Sequence, residues 1–480
     1  MVATAQRKWL ALALLSAVQF MVVLDIAIVN VALPSIKLDL GFSQENLQWV
    51  ISAYALFFGG FLLLGGRLAD ILGRRRIFIV GLVLFTVSSL AAGLAWSEGS
   101  LIAARAFQGL GAAIISPAAL SILTTTFAEG KERNTALGVW GAVGGFGAAA
   151  GVLLGGVLTD ALSWEWIFYV NIPIGLAGLA LTPLLLGESR DARVKSFDVM
   201  GAVLVTSGLM ALVYGITEAN DFGWGSATTW AIFAGALALL GAFVAWERRH
   251  PEPLMRFGIL RIRTVLGANV AGFILGTALF AMFLMLTLYM QQVLGYSAMK
   301  TGVAYLATAG TAIIWSGVAA QLVNKVGVKP VLIAGMSFLT IGLVYLTQIS
   351  VDGSYVTDLL PGFLLIAVGM GFAFVPISIA ALAGVQPAEA GLASGLINTS
   401  QQIGGALGIA ALSAIATSLT TDSVEGGAQL QVALVDGFSG ALWAAAAVGV
   451  VGIVAAATLI RREELATDEV PDAVPATASI

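Results

Sequence analysis

The sequence predicts an all-α membrane protein with 14 transmembrane helices, arranged as two six-helix bundles with inverted repeats plus an inserted helix pair. Two observations predict this class. Of the 480 residues, 59% are hydrophobic and only 10% are charged, whereas soluble domains have about 45–50% apolar and about 25% charged residues. Hydropathy also divides the chain into fourteen apolar stretches, each close to the roughly 20 residues that cross a bilayer.

The predicted spans follow one another along the whole chain. We interpret them as helices because a membrane-spanning strand would alternate apolar and polar residues over about ten positions. The spans cover residues 9–34, 47–66, 77–96, 100–127, 135–159, 164–187, 198–218, 227–246, 264–293, 300–324, 328–350, 357–381, 395–419 and 437–460.

Basic residues are concentrated in every second loop. These loops and the two termini hold 20 of the 23 lysines and arginines, whereas the other loops hold only Lys37 and Lys300. Because cytoplasmic loops are enriched in Lys and Arg, the pattern predicts a multi-pass protein of the cell (inner or plasma) membrane with both termini cytoplasmic. The number of spans must then be even. From Glu463 onward the chain is polar, acidic and contains proline, so we expect a disordered tail.

The composition excludes several function classes. The chain has no cysteine and a single histidine, His250, which excludes disulfides, thiolate chemistry and a multi-histidine metal centre. A net charge of −4 gives no indication of a nucleic-acid partner. The sequence contains no phosphate-binding loop of the G-x-x-x-x-G-K-[ST] type and no nucleophile constellation. We therefore expect neither an ATP-driven protein nor an enzyme.

An internal repeat relates the two ends of the chain. Leu40–Ser43 corresponds to Leu294–Ser297 at an offset of 254, and the glycine pair Gly147 and Gly151 corresponds to Gly404 and Gly408 at an offset of 257. Two repeated six-helix halves are typical of transporters that alternate access around a midplane site. The predicted domains are an N-terminal bundle (1–187), an inserted helix pair with its linker (188–263), a C-terminal bundle (264–462) and the tail (463–480).

The loop after the second span carries the first motif, Gly66-Arg67-Leu68-Ala69-Asp70-Ile71-Leu72-Gly73-Arg74-Arg75-Arg76. A carboxylate close to arginines can form a charge cluster that latches one conformation, and Gly73 permits a tight turn. The alternative is a positively charged membrane anchor. The motif closely resembles the loop signature of the major facilitator superfamily, apart from Ile71, where the family usually has a basic residue. The resemblance implies a conformational latch formed by Gly66, Asp70, Gly73, Arg74 and Arg75.

The first span contains the only carboxylate that lies deep in a span, Asp25. A charge at the bilayer centre costs about 2.5–3.5 kcal/mol on insertion scales and normally faces the protein interior. The surrounding Leu24–Pro34 resembles the first-span signature of drug:proton antiporters, with Ala27 in place of the usual threonine. This resemblance implies that Asp25 carries the coupling proton. The alternative is a purely structural ion pair or hydrogen bond.

The fourth span contains the only basic residue inside a span, Arg105. A buried arginine stays charged and needs a counter-ion or several acceptors, and Asp25 is an obvious electrostatic partner. The run Arg105–Gly109 resembles a superfamily motif whose arginine is linked to proton transfer. The resemblance implies a proton-coupling role for Arg105 together with Asp25. The alternative is an arginine that only binds backbone carbonyls.

The fifth span is rich in glycine. Gly147, Gly151 and Gly155 recur every four residues and form a groove into which another helix can pack closely. Together with Gly156 they resemble the antiporter motif that is typical of exporters, with Val152 at the usual proline position. The resemblance implies that these four glycines provide antiporter helix packing and that transport is directed outward.

Several polar side chains within or near the spans are candidates for substrate contact. Amides cost less to bury than charges, and they can bind a ligand or join two helices; for the amides, both interpretations stay open. The candidates are Asn30, Gln108, Gln291, Gln292, Asn398, Gln401 and Gln402.

Together these features predict a secondary active exporter that resembles the fourteen-helix drug:proton antiporter branch. It would export amphipathic drugs or toxic small molecules in exchange for protons, without a bound cofactor and driven by the proton motive force. We expect a monomer whose partners are the substrate, protons and the bilayer. The alternatives are a proton-coupled exporter of one native metabolite or lipid-like compound, or a membrane scaffold or sensor that does not transport.

Overall fold

A computed structural model confirms the predicted fold class. It describes residues 2–43, 46–127, 131–190, 198–251, 253–254, 257–385 and 390–461. In these residues the chain is helical and contains no β-strand. Thirteen helical segments are long and apolar enough to cross a membrane, and the 31-residue helix Lys131–Ala161 provides the fourteenth. The predicted tail from Glu463 lies outside the described residues.

Seven helices form the first six spans, because the sixth span is interrupted at Val170. A short 3₁₀ turn, Asn46–Gln48, precedes the second helix. The helices are α1 (Val2–Leu40), α2 (Trp49–Leu72), α3 (Arg74–Gly93), α4 (Glu98–Thr126), α5 (Lys131–Ala161), α6 (Trp166–Tyr169) and α7 (Asn171–Leu185).

The remaining eight spans are formed by one helix each. Two of these helices are extended by π-helical turns, Tyr289–Val293 after α10 and Tyr355–Leu359 before α13. The helices are α8 (Val199–Phe222), α9 (Ala227–Glu247), α10 (Arg263–Leu288), α11 (Ala298–Val326), α12 (Val328–Leu346), α13 (Leu360–Ala380), α14 (Ala390–Glu425) and α15 (Leu430–Leu459).

Several helices are longer than the apolar stretches that predict them. The first span is predicted to end at residue 34, but α1 continues through Pro34 to Leu40. Likewise α14 extends beyond the predicted 395–419 at both ends. Hydropathy marks only the part of a helix within the hydrocarbon, whereas backbone hydrogen bonding favours continuing the helix to the interface.

The helix ends define two faces of the bundle. At the face that carries the loops rich in Lys and Arg (the basic face), α2 and α3 are joined by Gly73 alone. Its φ of +108° is a conformation that favours glycine. At the opposite face, α4 begins at Ser97, whose Oγ accepts a hydrogen bond from Ser100 N at 3.3 Å. Ser297 caps α11 in the same way through Lys300 N at 3.2 Å. These caps satisfy backbone donors that the first turn of a helix leaves free.

The two bundles have corresponding helix contacts, as the sequence repeat predicts. In the N-terminal half α1 packs on α5, α2 on α4 and α3 on α4; in the C-terminal half α10 packs on α14, α11 on α13 and α12 on α13. The matched glycines have matching surroundings. A Cβ added to Gly151 would lie 2.8 Å from Leu24 O, and one added to Gly408 would lie 2.6 Å from Thr277 Cα. Each half therefore packs this pair of helices through a glycine face.

Two seams join the halves, and they are related by the same repeat: α2 packs on α14, and α5 packs on α11. Between the seams, α1 meets α10, where Gln291 Nε2 donates to Val31 O at 2.8 Å. Buried side chains of both helices, including Ile28 and Met285, belong to one continuous apolar core. The central helices of the halves are thus in direct contact near the opposite face.

The inserted helices α8 and α9 pack on each other, and α8 also packs on both α2 and α14. It therefore covers one seam from outside, and Gln48 Nε2 donates to Thr217 Oγ1 of α8 at 3.0 Å. Asp198 caps α8 through Gly201 N at 2.7 Å and accepts from Trp246 Nε1 of α9 at 2.8 Å. The domain boundaries at residues 187, 263 and 462 stay predictions.

Candidate functional site

A buried ion pair lies at the centre of the N-terminal half. Arg105 Nη1 of α4 donates to Asp25 Oδ2 of α1 at 2.6 Å. Asp25 is 0% exposed and Arg105 is 1% exposed. The structure thus brings together the two charged residues that the sequence places deep in the spans.

Two amides bind the second carboxylate oxygen of Asp25. Gln108 Nε2 donates to Asp25 Oδ1 at 2.7 Å, and Asn171 Nδ2 of α7 donates to the same atom at 2.8 Å. Both amides also lie within hydrogen-bond distance of Ser89 Oγ on α3, at 2.7 and 3.3 Å. The donors to Asp25 lie on α4 and α7, and Ser89 on α3 accepts from both amides, so the network ties the carboxylate of α1 to three other helices of this bundle.

Arg105 has further partners besides the carboxylate. Its Nε donates to Val50 O at 2.9 Å, and its Nη1 donates to Gln108 Oε1 at 2.7 Å. The guanidinium carbon lies 4.4 Å from the centre of the Tyr54 ring and 5.7 Å from that of Phe168. Aromatic faces attract cations where water is excluded. The arginine therefore retains favourable contacts if Asp25 loses its charge.

Two buried polar atoms next to the pair make no hydrogen bond within the described part of the chain. They are the hydroxyl of Tyr54 and Oδ1 of Asn171. The Tyr54 ring stacks on the arginine, and Asn171 contacts the aspartate. When the network rearranges, the Tyr54 hydroxyl can donate or accept a hydrogen bond, and Asn171 Oδ1 can accept one.

Helix α1 packs against the glycine face of α5. A Cβ added to Gly147 would lie 3.2 Å from Val23 Cβ, and one added to Gly155 would lie 2.6 Å from Ile28 O. Together with Gly151 against Leu24 O, these contacts bracket the turn of α1 that carries Asp25. Gly156 differs, because it faces the first turn of α11 across the seam. Three of the four predicted glycines therefore position the site, and the fourth joins the halves.

The predicted latch forms a compact charge cluster at the basic face. Arg74 Nη2 pairs with Asp70 Oδ1 at 2.9 Å and joins the end of α2 to the start of α3 across the Gly73 turn. Gly66 lies near Pro117 of α4, where an added Cβ would be 3.5 Å from Pro117 Cβ. Arg75 turns away from Asp70 and donates to Leu186 O at 3.3 Å.

Glu188 completes this cluster and is absent from the sequence prediction. It accepts hydrogen bonds from the backbone N–H groups of Arg75 at 3.2 Å and Arg76 at 3.3 Å. Its carboxylate thereby caps the N-terminus of α3, where a negative charge is favoured. It also lies within 3.8 Å of both guanidinium Nε atoms. The signal for it was an acidic residue just after the sixth span, in a loop on the same face as the arginines.

The predicted substrate contacts are dispersed in the structure. Asn30 and Asn398 donate to carbonyls of their own helices, at Ile26 O and Ser394 O. Gln108 lies inside the ion-pair network. Gln401 packs against α10, where a Cβ on Gly272 would lie 3.4 Å from its Cγ, and Gln402 packs at Gly59 on the α2–α14 seam. Their roles as substrate contacts stay predictions.

The two remaining amides lie near the opposite face. Gln291 holds α10 to α1 through the carbonyl of Val31, and Gln292 lines a cavity between α1, α10 and α14.

Comparisons with known proteins place the chain in a family. Residues 15–409 match the model of the Major Facilitator Superfamily. The puromycin resistance protein of Streptomyces alboniger is 42% identical over 90% of this chain and 86% of its own length. The cephamycin export protein of Amycolatopsis lactamdurans is 41% identical over 86% of each chain.

Solved structures agree at the level of the fold. The inward-facing, unoccupied crystal structure of a bacterial homologue of the human lysosomal transporter Spinster has a TM-score of 0.66 and 16% identity, covering 95% of this chain and 98% of that one. The chain is thus a multi-pass membrane protein that belongs to the Major Facilitator Superfamily of transporters.

Proposed function

We propose that the protein exports small amphipathic compounds across the plasma membrane in exchange for protons, by alternating access. The observation that carries this proposal is the ion pair of Asp25 and Arg105, 2.6 Å apart and fully buried. Two opposite charges at this depth are costly to maintain, and intramembrane ionisable residues are functional by default. In this proposal both termini are cytoplasmic, the protein acts as a monomer, and the proton motive force replaces a bound cofactor.

Protonation of Asp25 changes the balance of the network. The neutral carboxyl loses its charge–charge attraction to Arg105, and one of its oxygens becomes a donor where it was an acceptor. Gln108 and Asn171 both donate to Oδ1, so a proton arriving there forces an amide to move. Breaking a buried pair is strongly unfavourable unless the partner finds compensation. Arg105 has that compensation in Val50 O and the Tyr54 ring.

The same event couples to the position of α1. Gly147, Gly151 and Gly155 place α1 directly on α5, and α5 forms the seam with α11. A movement of α1 caused by a change around Asp25 therefore shifts α5 at that seam. Proton and substrate need not share an atom. They need only favour opposite members of the same two conformations.

The C-terminal half limits the substrate class. In the sequence, no span of that half carries a charged residue deep in the membrane, so contacts there are apolar, aromatic or amide. One buried carboxylate in the whole site suits neutral or singly cationic compounds better than dications.

The relatives favour the same direction of transport and suggest a second candidate. One is named a puromycin resistance protein and another a cephamycin export protein; a third, from Streptomyces glaucescens, is named a tetracenomycin C resistance and export protein and is 33% identical over 87% of this chain. Because such names each specify one compound, the second candidate is an exporter of a single natural product. A narrow response to a panel of amphipathic compounds would favour it.

The test uses everted membrane vesicles that hold an imposed pH gradient. We expect puromycin, or another amphipathic amine from a panel, to dissipate the gradient with the wild type and not with Asp25→Asn. Asp422→Asn, which changes an exposed carboxylate at the end of α14, is the matched control and should behave as the wild type. Equal dissipation by Asp25→Asn would remove Asp25 from coupling. No response to any compound would contradict export of amphipathic compounds.

A further inference from the structure

A cavity of about 260 Å³ opens at the opposite face, away from the ion pair. It lies between the ends of α1, α10 and α14 and the beginnings of α2 and α15. One wall is apolar, with Leu284, Leu288 and Phe438, and another is polar, with Gln48 and Thr417. Ligand sites commonly combine an apolar body with a few placed polar groups.

The internal repeat explains why a cavity exists here. At the α5–α11 seam, Gly156 and Gly302 bring the helices together: a Cβ on Gly302 would lie 2.6 Å from Val152 O. Asp160, one turn further, binds the first turn of α11.

The positions related to these three by the offsets of 257 and 254 are Ser413, Thr417 and Gln48. All three line the cavity. At the α5–α11 seam these positions are glycines and a capping aspartate, whereas at the α2–α14 seam they are larger side chains that border the cavity. The cavity therefore lies at the α2–α14 seam, on the opposite face.

Gln48 is the polar group that points to a ligand. It is 1% exposed, and its Nε2 is fixed by Thr217 Oγ1 of α8 at 3.0 Å. Its Oε1 makes no hydrogen bond with any described residue. Since buried acceptors are normally satisfied, and Gln48 lines the cavity, a small shift of this side chain would present the oxygen to a molecule that brings an N–H or O–H group into the cavity.

We propose that this cavity is a second binding site, for a small amphipathic molecule whose N–H or O–H group donates to Gln48 Oε1 while its apolar part packs on Leu288 and Phe438. If the occupant is an exported compound, the site is a release site on the far side of the membrane, and in that form the proposal rests on the proposed function. The same chemistry is offered by a phospholipid with an amine headgroup, and the experiment separates the two sources.

The absence of cysteine from the sequence makes single-cysteine labelling the direct test. Thr417→Cys places a thiol in the cavity, and Gln429→Cys places one in the exposed loop before α15 as the matched control. The purified full-length protein in detergent is labelled with a maleimide, with and without puromycin. At ten times its dissociation constant a ligand should slow labelling of Thr417→Cys about tenfold by mass action, and labelling of Gln429→Cys should not change.

Two further variants test the geometry. Adding Gln48→Leu should weaken ligand binding about tenfold, because one hydrogen bond is lost, so the same ligand concentration should slow labelling only about twofold. Thr217 keeps its bond to Val213 O. Leu288→Trp places a larger side chain on the apolar wall and leaves Gln48 intact, so it should abolish protection. It provides the test if Gln48→Leu does not fold. The lipid source is tested by adding phosphatidylethanolamine instead of puromycin, and protection that Gln48→Leu removes would identify a lipid site.

The outcomes separate this proposal from the proposed function. Protection of Thr417→Cys without vesicle transport of any compound in the panel would support the site and contradict export. Transport without protection by puromycin or phosphatidylethanolamine would overturn the site and leave export standing. Protection that is unchanged by both Gln48→Leu and Leu288→Trp would also overturn it, because the occupant would then bind elsewhere.

Discussion

The carboxylate of Asp160, at the end of α5, accepts hydrogen bonds from the backbone N–H groups of Met299 at 2.9 Å and Ala298 at 3.2 Å. A side chain of one half thus caps the first turn of a helix in the other half, where a negative charge is favoured. Any conformation that separates α5 from α11 at the opposite face must break both bonds. Asp160 therefore stabilises the conformation in which α5 and α11 are closed together at that face.

Asp160→Asn should let the opposite face open more readily. The amide oxygen of asparagine can accept from only one of the two N–H groups, and its NH₂ cannot accept from the other. The lost charge at the helix terminus alone is worth about 1 kcal/mol, which corresponds to roughly fivefold in population. We expect maleimide to label Thr301→Cys, which is buried at the start of α11, about fivefold faster in the Asp160→Asn background. Asp352→Asn, in an exposed loop of the same face, is the control. Unchanged labelling would show that Asp160 does not hold the seam.

Gly151→Ala should destabilise the protein and impair transport. The added methyl group would lie 2.8 Å from both Leu24 O and Ala27 Cβ, neither of which can move without shifting α1. Such overpacking costs about 1–3 kcal/mol, more than alanine's gain in helix propensity. Thermal unfolding in detergent measures the effect. Gly235→Ala on α9, where nothing lies within 4 Å, should be neutral or slightly stabilising, and equal melting temperatures for both variants would contradict the packing argument.

The fold was largely predictable from the sequence because its causes are local. Each span is a long apolar segment, and Gly73, Ser97 and Ser297 mark helix ends that depend only on nearby residues. The seams were not predictable, because they depend on which helix faces meet. Glycine spacing identified a packing face on α5, but only the structure shows that Gly151 meets α1 and Gly156 meets α11.

Asp70→Asn should slow transport while leaving substrate affinity within a few-fold. Asp70 and Arg74 form an i,i+4 pair beside the single-residue turn between α2 and α3. A partly exposed ion pair of this kind contributes only about 0.2–1 kcal/mol, so folding should persist, while the latch loses its charge. Initial rates and half-saturation concentrations in vesicles separate the two effects. An unchanged rate would reduce the loop to a membrane anchor.

Glu188→Gln should affect the same step through the other end of the cluster. The Arg75 and Arg76 N–H groups bond to different oxygens of Glu188, so the single glutamine oxygen can accept from only one of them. The variant also loses its charge against the two guanidinium groups and the helix terminus. We expect slower transport by Glu188→Gln. Adding Asp70→Asn to Glu188→Gln should lower the transport rate by a smaller factor than Asp70→Asn does in the wild type. Strict additivity in this double-mutant cycle would show that the two carboxylates act independently.

The candidate site was predictable in its charges and not in its polar partners. Asp25 and Arg105 stood out because each was the single deep charge of its sign. Ser89 and Asn171 did not, since small polar residues are common in membrane helices and their register relative to Asp25 depends on how α3 and α7 are rotated. Glu188 was hidden for a similar reason, because its role depends on a loop returning to the start of α3.

Arg105→Lys tests whether the site needs a guanidinium or only a positive charge. A lysine ammonium carries the same charge but has no planar fork, so it cannot hold Asp25 Oδ2, Val50 O and the Tyr54 ring together as Arg105 does. Losing one charged hydrogen bond costs about 1.5–3 kcal/mol, so proton-coupled transport should fall at least about tenfold. Arg263→Lys, an exposed residue at the start of α10, should transport normally. A wild-type rate for Arg105→Lys would show that charge alone suffices, and the network around Val50 and Tyr54 would then be structural.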